Sequence, residues 1–376
     1  AASDVYKRQG EMASGLYGQN TSMAGVTVGM REGMLMNIEN PAGLTALDSC
    51  KLFAEASAFV KNERYRSDGS SSNAFTGNFS AFSLGGRIMR RWYMSAGVTP
   101  YSFVGYYFKS SQELEGSPGT FVTSTFSGTG GLSKAFLSQG FSLTKHLSVG
   151  MNLNFIFGNM TQNEIQSAMT VSREMSGRSF YADFGLQYHR PIARETFLTV
   201  GAIYGYKQRI SLKNTVTVTG SSTETPYNQK RVTQYLPQYI GIGSSLAHKK
   251  WTYALDYLFR QYGVLNSSDS RVKFRDSHEL RLGVCYFPNG FSSSSYWKRM
   301  SYKAGVSVST PYLRLKGQSG GAYRVSVGLG LPVLNGRINT AFYYDRLQLQ
   351  GNALRRDIMG FTVTYTLSEK FCLMLI

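Results

Sequence analysis

Tyr323-Arg324-Val325-Ser326-Val327-Gly328-Leu329-Gly330-Leu331 alternates without a break. Tyr323, Val325, Val327, Leu329 and Leu331 form one set; Arg324, Ser326, Gly328 and Gly330 form the other. Successive side chains of a strand point to opposite faces. One face of this segment is therefore wholly apolar, and the other is polar or nearly bare. A soluble sandwich carries charge on its outer face and packs large residues inside. A membrane barrel inverts that order, with apolar residues against lipid and a polar lumen.

The rhythm recurs along the chain. Leu147, Val149, Met151, Leu153, Phe155 and Phe157 alternate with Ser148, Gly150, Asn152 and Asn154. Trp251, Tyr253, Leu255, Tyr257 and Phe259 alternate with Thr252, Ala254 and Asp256. Tyr302, Ala304, Val306 and Val308 alternate with Lys303, Gly305, Ser307 and Ser309, and Phe361, Val363, Tyr365 and Leu367 with Thr362, Thr364, Thr366 and Ser368. One such run fits any half-buried strand; the repetition selects a membrane barrel.

Composition points the same way. Aromatic residues make up 14% of the 376 residues and charged residues only 16%, against about 25% charged in soluble domains. Mean hydropathy is −0.21, and no run of 18 apolar residues offers a membrane helix. A closed barrel satisfies its backbone groups between strands without such a run. The net charge is +18, which raises nucleic acid as a partner. The basic residues, however, sit near strand ends: Arg87, Arg90 and Arg91; Lys249 and Lys250; Lys298 and Arg299; Arg355 and Arg356. Turn charge facing lipid phosphate explains that placement, and no nucleic-acid partner is expected. Cys50, Cys285 and Cys372 form no disulfide or metal-binding pattern, so no metal or cofactor is implied.

The alternation predicts an all-β chain with fourteen antiparallel strands, an even number that brings both ends of a single-chain barrel to one side. Tight turns are expected at 144–146, 247–250 and 334–336, the last holding the hairpin pair Asn335-Gly336. Long polar links are expected at 66–73, 110–130, 161–176, 213–230, 264–275, 289–299 and 316–320. Residues 1–9 (Ala-Ala-Ser-Asp-Val-Tyr-Lys-Arg-Gln) read as a translated sequencing adapter and are set aside. Residues 10–50 lack sustained alternation, and 51–376 carry the barrel.

Two passages in 10–50 carry a resemblance. Ser22-Met23-Ala24-Gly25-Val26-Thr27-Val28-Gly29-Met30 and Asn37-Ile38-Glu39-Asn40-Pro41-Ala42-Gly43-Leu44 resemble the start of FadL-family outer-membrane transport proteins, in the form found in Bacteroidota. The resemblance implies a 14-stranded antiparallel transmembrane β-barrel in the outer membrane of a Gram-negative bacterium. Its N-terminal segment would fold into the lumen as a hatch. The implied function is passive uptake of hydrophobic small molecules such as long-chain fatty acids, through an opening at a kink in the third strand. The implied partners are a hydrophobic ligand and outer-membrane lipid, with the chain a monomer. An alternative from another class is a PorV-like scaffold that binds secreted proteins for type IX secretion, using the links 110–130 and 213–230.

Candidate residues follow. Asn40, Pro41, Ala42 and Gly43 are the hatch motif; Asn40-Pro41 fixes a turn, since proline lacks an N–H and restricts its predecessor. Gly97, Pro100 and Gly105 are the candidate kink, because proline in a strand is confined to edges and bulges. Pro237 and Pro311 interrupt other strands. Met23, Met30, Met34 and Ile38, with Phe103, Tyr106 and Phe108, are candidate ligand contacts, methionine being suited to a promiscuous apolar surface. Arg31 and Lys51 are candidate partners for a ligand carboxylate. No nucleophile elbow or catalytic triad is evident around His146, His189, His248 or His278, and Gly128-Thr129-Gly130-Gly131 lacks the lysine of a phosphate loop. No enzyme is expected.

Overall fold

The computed structural model describes residues 11–12, 18–67, 70–113, 119, 121–166, 169–220, 224–264, 272–288, 295–315, 320–349 and 355–370. The adapter-like residues 1–9 and the end from Cys372 lie outside these.

Fourteen antiparallel strands close into one barrel. They are β1 (Lys51–Ser67), β2 (Ser70–Met89), β3 (Trp92–Phe103 and Tyr106–Glu113), β4 (Phe121–Ser142), β5 (Leu147–Gln166), β6 (Met169–Ala193) and β7 (Thr196–Gly205 and Gln208–Thr219). The rest are β8 (Glu224–Leu236 and Tyr239–His248), β9 (Trp251–Arg260), β10 (Ser277–Tyr286), β11 (Ser301–Ser309), β12 (Gly320–Val333), β13 (Gly336–Leu349) and β14 (Arg355–Lys370). Closure comes from β1, which pairs with β2 on one edge and with β14 on the other, from Lys51↔Lys370 to Arg66↔Arg355.

The faces divide as the alternation predicts. On β12, Val325 and Val327 are 43% and 52% exposed while Ser326 is 1% exposed. On β14, Phe361, Val363 and Tyr365 look outward and Thr362, Thr364 and Thr366 are buried inward. In water such an outer row would be costly, at roughly 25 cal/mol per Å² of apolar surface; against hydrocarbon it is the stable arrangement. Stacked or tilted aromatic pairs, Trp251 with Tyr286 and Trp92 with Phe141, lie beside the tight turns.

Four expectations about the links need correction. The described residues of links 161–176 and 213–230 are paired strand: β5 and β6 pair as far as Gln166↔Met169, and β7 and β8, after a register shift between Leu212 and Asn214, as far as Thr219↔Glu224. Polar residues there led to a loop reading, yet Thr- and Val-rich segments sustain a hairpin above the apolar belt. Link 66–73 is likewise mostly strand, with Ser67 paired to Ser70. Link 289–299 ends in a short helix, Tyr296–Arg299, and falls on the tight-turn side, since it joins β10 to β11. The segment after Pro311 leaves the wall: Leu313–Leu315 pairs with Val272–Phe274 in a separate two-stranded sheet.

Residues 18–48 run inside the ring. Short 3-10 helices, Gln19–Met23 and Pro41–Ala46, are joined by irregular chain. Irregular backbone at membrane depth is tolerated where it meets protein rather than lipid.

Candidate functional site

Wall strands that face the N-terminal segment present glycine. A Cβ on Gly150 would strike Pro41 and Ala42, one on Gly185 the Asn40 side chain, one on Gly201 the Val28 carbonyl, and one on Gly305 the Met23 backbone. These glycines occupy the inward positions of β5, β6, β7 and β11, where the alternation shows almost no side chain. Close backbone approach is what glycine permits there.

Polar groups complete the seating. The Asp256 carboxylate accepts the backbone N–H groups of Thr27 (2.7 Å) and Val28 (2.9 Å). Arg281, 1% exposed, donates to the Gly25 carbonyl at 2.6 Å and pairs with Glu39 and Glu279; Arg260 joins Glu279 at 2.7 Å. Arg337 pairs with Glu32. Burial works against the Glu32 carboxylate, but Arg337 and Lys303 outweigh it and hold its pKa below the usual glutamate value. Asn40 caps the helix Pro41–Ala46 through the Ala42 N–H (3.2 Å) and donates to the carbonyls of Val28 (2.7 Å) and Leu186 (3.3 Å). The motif residues Pro41 and Ala42 are buried against the wall, and Gly43 packs on Asn37.

Around β3 the wall changes character. The β2–β3 ladder runs from Met89↔Trp92 to Phe82↔Val98 and stops. No described register pair joins β2 to β3 beyond Val98. Opposite, β3 stays paired with β4, with a register shift between Pro100 and Ser102. The free edge at Ser102 and Phe103 is taken by Met12 and Glu11 of a two-residue strand. Phe103 meets Phe59 of β1 edge to face, centroids 5.7 Å apart. Since β2 lies between β1 and β3, this contact requires β3 to bend inward across the inner side of β2. Gly97 cannot accept a Cβ, which would meet the Phe82 carbonyl; Gly105 faces open space, with nothing within 4 Å. On β4, Gly128, Gly130 and Gly131 make room for the bend: Gly130 has φ of 102° and its carbonyl accepts the Val104 N–H at 2.9 Å. The glycine cluster that lacks a phosphate-loop lysine thus serves the bend.

The breaks at 206–207 and 237–238 differ from this one. There β7 regains its pairing with β6 and β8 on the far side of the gap. Along β2–β3, among the described residues, a ladder ends while both of its strands continue; the β8–β9 ladder ends at Tyr239↔Arg260 because β9 itself ends there.

Beside the bend lies an apolar cluster of Val104, Leu132, Ile156, Met160, Met175, Tyr181 and Leu236, with Tyr101 and Tyr106 packed on it. Lys134, two residues from Leu132 and cross-strand from Ile156, stands at its inner edge. It makes no ion pair or hydrogen bond within the described residues, but the Asp183 and Glu39 carboxylates act on it electrostatically; Asn152 and Asn154 also donate to Asp183. No sequence pattern marks Lys134, which comes beside the cluster only through the pairing of β4 with β5.

The expected ligand residues do not form one site. Met23 and Met30 pack with Val26, Leu35 and Ala254; Met34 packs with Met36, Leu44, Leu47, Phe53 and Tyr93. The Ile38 carbonyl accepts from Asn152 at 2.9 Å. Tyr106 alone joins the cluster at the bend. Phe108 is paired opposite Phe126, and its side chain lies outside the described residues. Arg31 is engaged by Thr45 and Gln187, and Lys51 by Asp48.

Comparisons agree with this architecture. The toluene transporter TodX of Pseudomonas putida is similar over 94% of this chain and 98% of its own, with 16% identity and a TM-score of 0.63. A FadL homologue of Pseudomonas aeruginosa is similar over 96% and 100%, with 12% identity and a TM-score of 0.62. The toluene transporter TbuX of Ralstonia pickettii is similar over 95% and 98%, with 14% identity and a TM-score of 0.60. At these identities the likeness is one of fold. No curated protein matches. A closed barrel of this kind marks an outer-membrane protein. The family model described as BamG matches residues 9–371. By that match, which spans nearly its whole length, the chain belongs to the BamG family.

Proposed function

We propose that the protein is a passive channel for hydrophobic small molecules, in the outer membrane of a Gram-negative bacterium of Bacteroidota type. Residues 10–50 act as its hatch. The observation that carries this reading is the ladder that ends at Phe82↔Val98 beside an apolar cluster on the inward bend of β3. A molecule entering from the long-hairpin side contacts Tyr101, Tyr106, Met160 and Met175, then passes sideways between β2 and β3 into lipid. Gly97, Pro100 and Gly105 shape the bend. Met23, Met30, Met34 and Ile38 pack the hatch against the wall, and Phe103 closes the inner side of the bend.

A long-chain fatty acid fits this path with its chain in the apolar cluster and its carboxylate at Lys134, by a charge-assisted contact. TodX and TbuX are toluene transporters, so neutral hydrocarbons form the second ligand class to test. The scaffold alternative draws no support from the links 110–130 and 213–230, whose described residues are largely paired in hairpins.

Reconstitution tests the reading. Liposomes holding the protein should take up oleate or toluene faster than empty liposomes. Equal rates for both ligand classes would sink it.

A further inference from the structure

We propose that the outer wall at β8–β11 holds one acyl chain of a glycerophospholipid, with its phosphate at the turn Lys249–Lys250. A groove of about 440 Å³ opens on this face, lined among others by Ser244, Leu246, Tyr253, Leu255, Leu282 and Ala304. That volume falls in the range of small-molecule sites, about 300–1,000 Å³. Apart from Ala254, Gly283 and Gly305, its lining residues occupy outward positions, so the groove opens toward hydrocarbon. Ser244 and Ala304 create the depression, because they stand where neighbouring outward positions carry Ile242 and Val306.

The order of residues along β9 matches a lipid from head to tail. Lys249 and Lys250 form the turn, both exposed, and neither makes an ion pair among the described residues. Trp251 follows, its ring 4.5 Å from that of Tyr286, which in turn lies 6.4 Å from Tyr302. Such aromatic rows mark the interface level of barrels. Tyr253 and Leu255 then line the groove. Tyr253 lies three positions after Lys250, about 10 Å at the rise of a strand. Half of a bilayer core is about 15 Å deep, so phosphate at the lysines leaves the groove within the same leaflet. Cationic side chains near the surface attract a lipid phosphate, and each methylene buried adds about 0.8 kcal/mol. The occupant is thus a phospholipid of the leaflet on the tight-turn side. The proposal depends only on the barrel's outer face and stands apart from the channel reading.

Native mass spectrometry of the whole protein, delipidated in detergent and titrated with palmitoyl-oleoyl phosphatidylglycerol, tests it. Wild type should bind one lipid above the nonspecific background. Ser244→Leu with Ala304→Leu fills the groove with residues that suit a lipid-facing wall, so folding, checked by heat-modifiable gel migration, should persist. Binding should weaken roughly tenfold, the worth of about two buried methylenes. Lys249→Gln with Lys250→Gln should remove the advantage of phosphatidylglycerol over palmitoyl-oleoyl glycerol. Unchanged lipid retention in the filled variant overturns the proposal. So does equal binding of the two lipids by wild type, or a wild-type dimer that the filled variant loses while neither binds lipid.

Discussion

Lys134 and the inward glycines show how much a single position decides in this barrel. Lys134→Met keeps the length of the side chain and removes its charge. Oleate uptake in liposomes should fall several-fold, because the carboxylate loses a charge-assisted contact worth about 1.5–3 kcal/mol. Toluene uptake should stay within error of wild type; an equal loss for both ligands would assign Lys134 a structural role instead. Gly201 offers a separate test. Gly201→Ala drives a methyl into the Val28 carbonyl, and overpacking of this kind costs about 1–3 kcal/mol. Its unfolding midpoint in guanidinium should drop, whereas Gly105→Ala, which meets open space, should match wild type. Neither residue advertised itself in the sequence. A lysine between Leu132 and Phe136 reads as an ordinary lumen charge, and glycine at alternate positions reads as an empty face. Only the chain lying against that face explains why it is empty.

At the scale of the element, β3 carries the argument. Proline removes a ladder donor and glycine removes a side chain, so the run from Gly97 to Gly105 reads as a weak stretch of wall from the sequence alone. It does not reveal that the neighbouring ladder fails to resume, because Pro237 gives the same local signal in β8 and pairing with β7 recovers there. The difference lies in what faces the break. Across from β3, β4 supplies Gly128, Gly130 and Gly131, and β1 supplies Phe59 as a landing for Phe103. Gly105→Trp projects an indole into the space beside the bend, where a Cβ meets nothing within 4 Å. Uptake of both ligand classes should fall at least several-fold, while heat-modifiable migration on gels stays that of wild type. Full uptake by this variant would argue for a route elsewhere in the barrel.

Taken whole, the molecule is a ring whose polar lumen is filled by its own N-terminal segment. The buried pairs around Arg281 and the Asp256 contacts set the position of that segment; such groups are costly to strip of a partner. Glu32 makes the seating pH-dependent. Its carboxylate titrates below the ordinary value of 4.5 because Arg337 and Lys303 favour the charged form over the opposing effect of burial. A lowered folded-state pKa adds stability above the unfolded-state value, and that contribution is lost as pH falls through the folded-state pKa. Proteolysis of the segment in detergent should therefore rise in wild type as pH falls below the ordinary glutamate value. Glu32→Gln lacks the titrating group, so its cleavage should change less across the same window. Identical pH profiles for the two proteins would show that Glu32 does not hold the segment.

The sequence alone determined the all-β class, the fourteen strands and the face each residue presents. These depend on a two-residue period, which is local and survives any change in partner. Tertiary structure decided which ladder ends, which lysine stands beside the apolar cluster, and why glycines cover the lumen wall opposite Asn40-Pro41. Those outcomes depend on register and closure between segments far apart in the chain, as with Ala24 and Ser326 at 2.8 Å. No local pattern encodes such a meeting, because each side chain there is chosen for a neighbour that only the closed ring supplies.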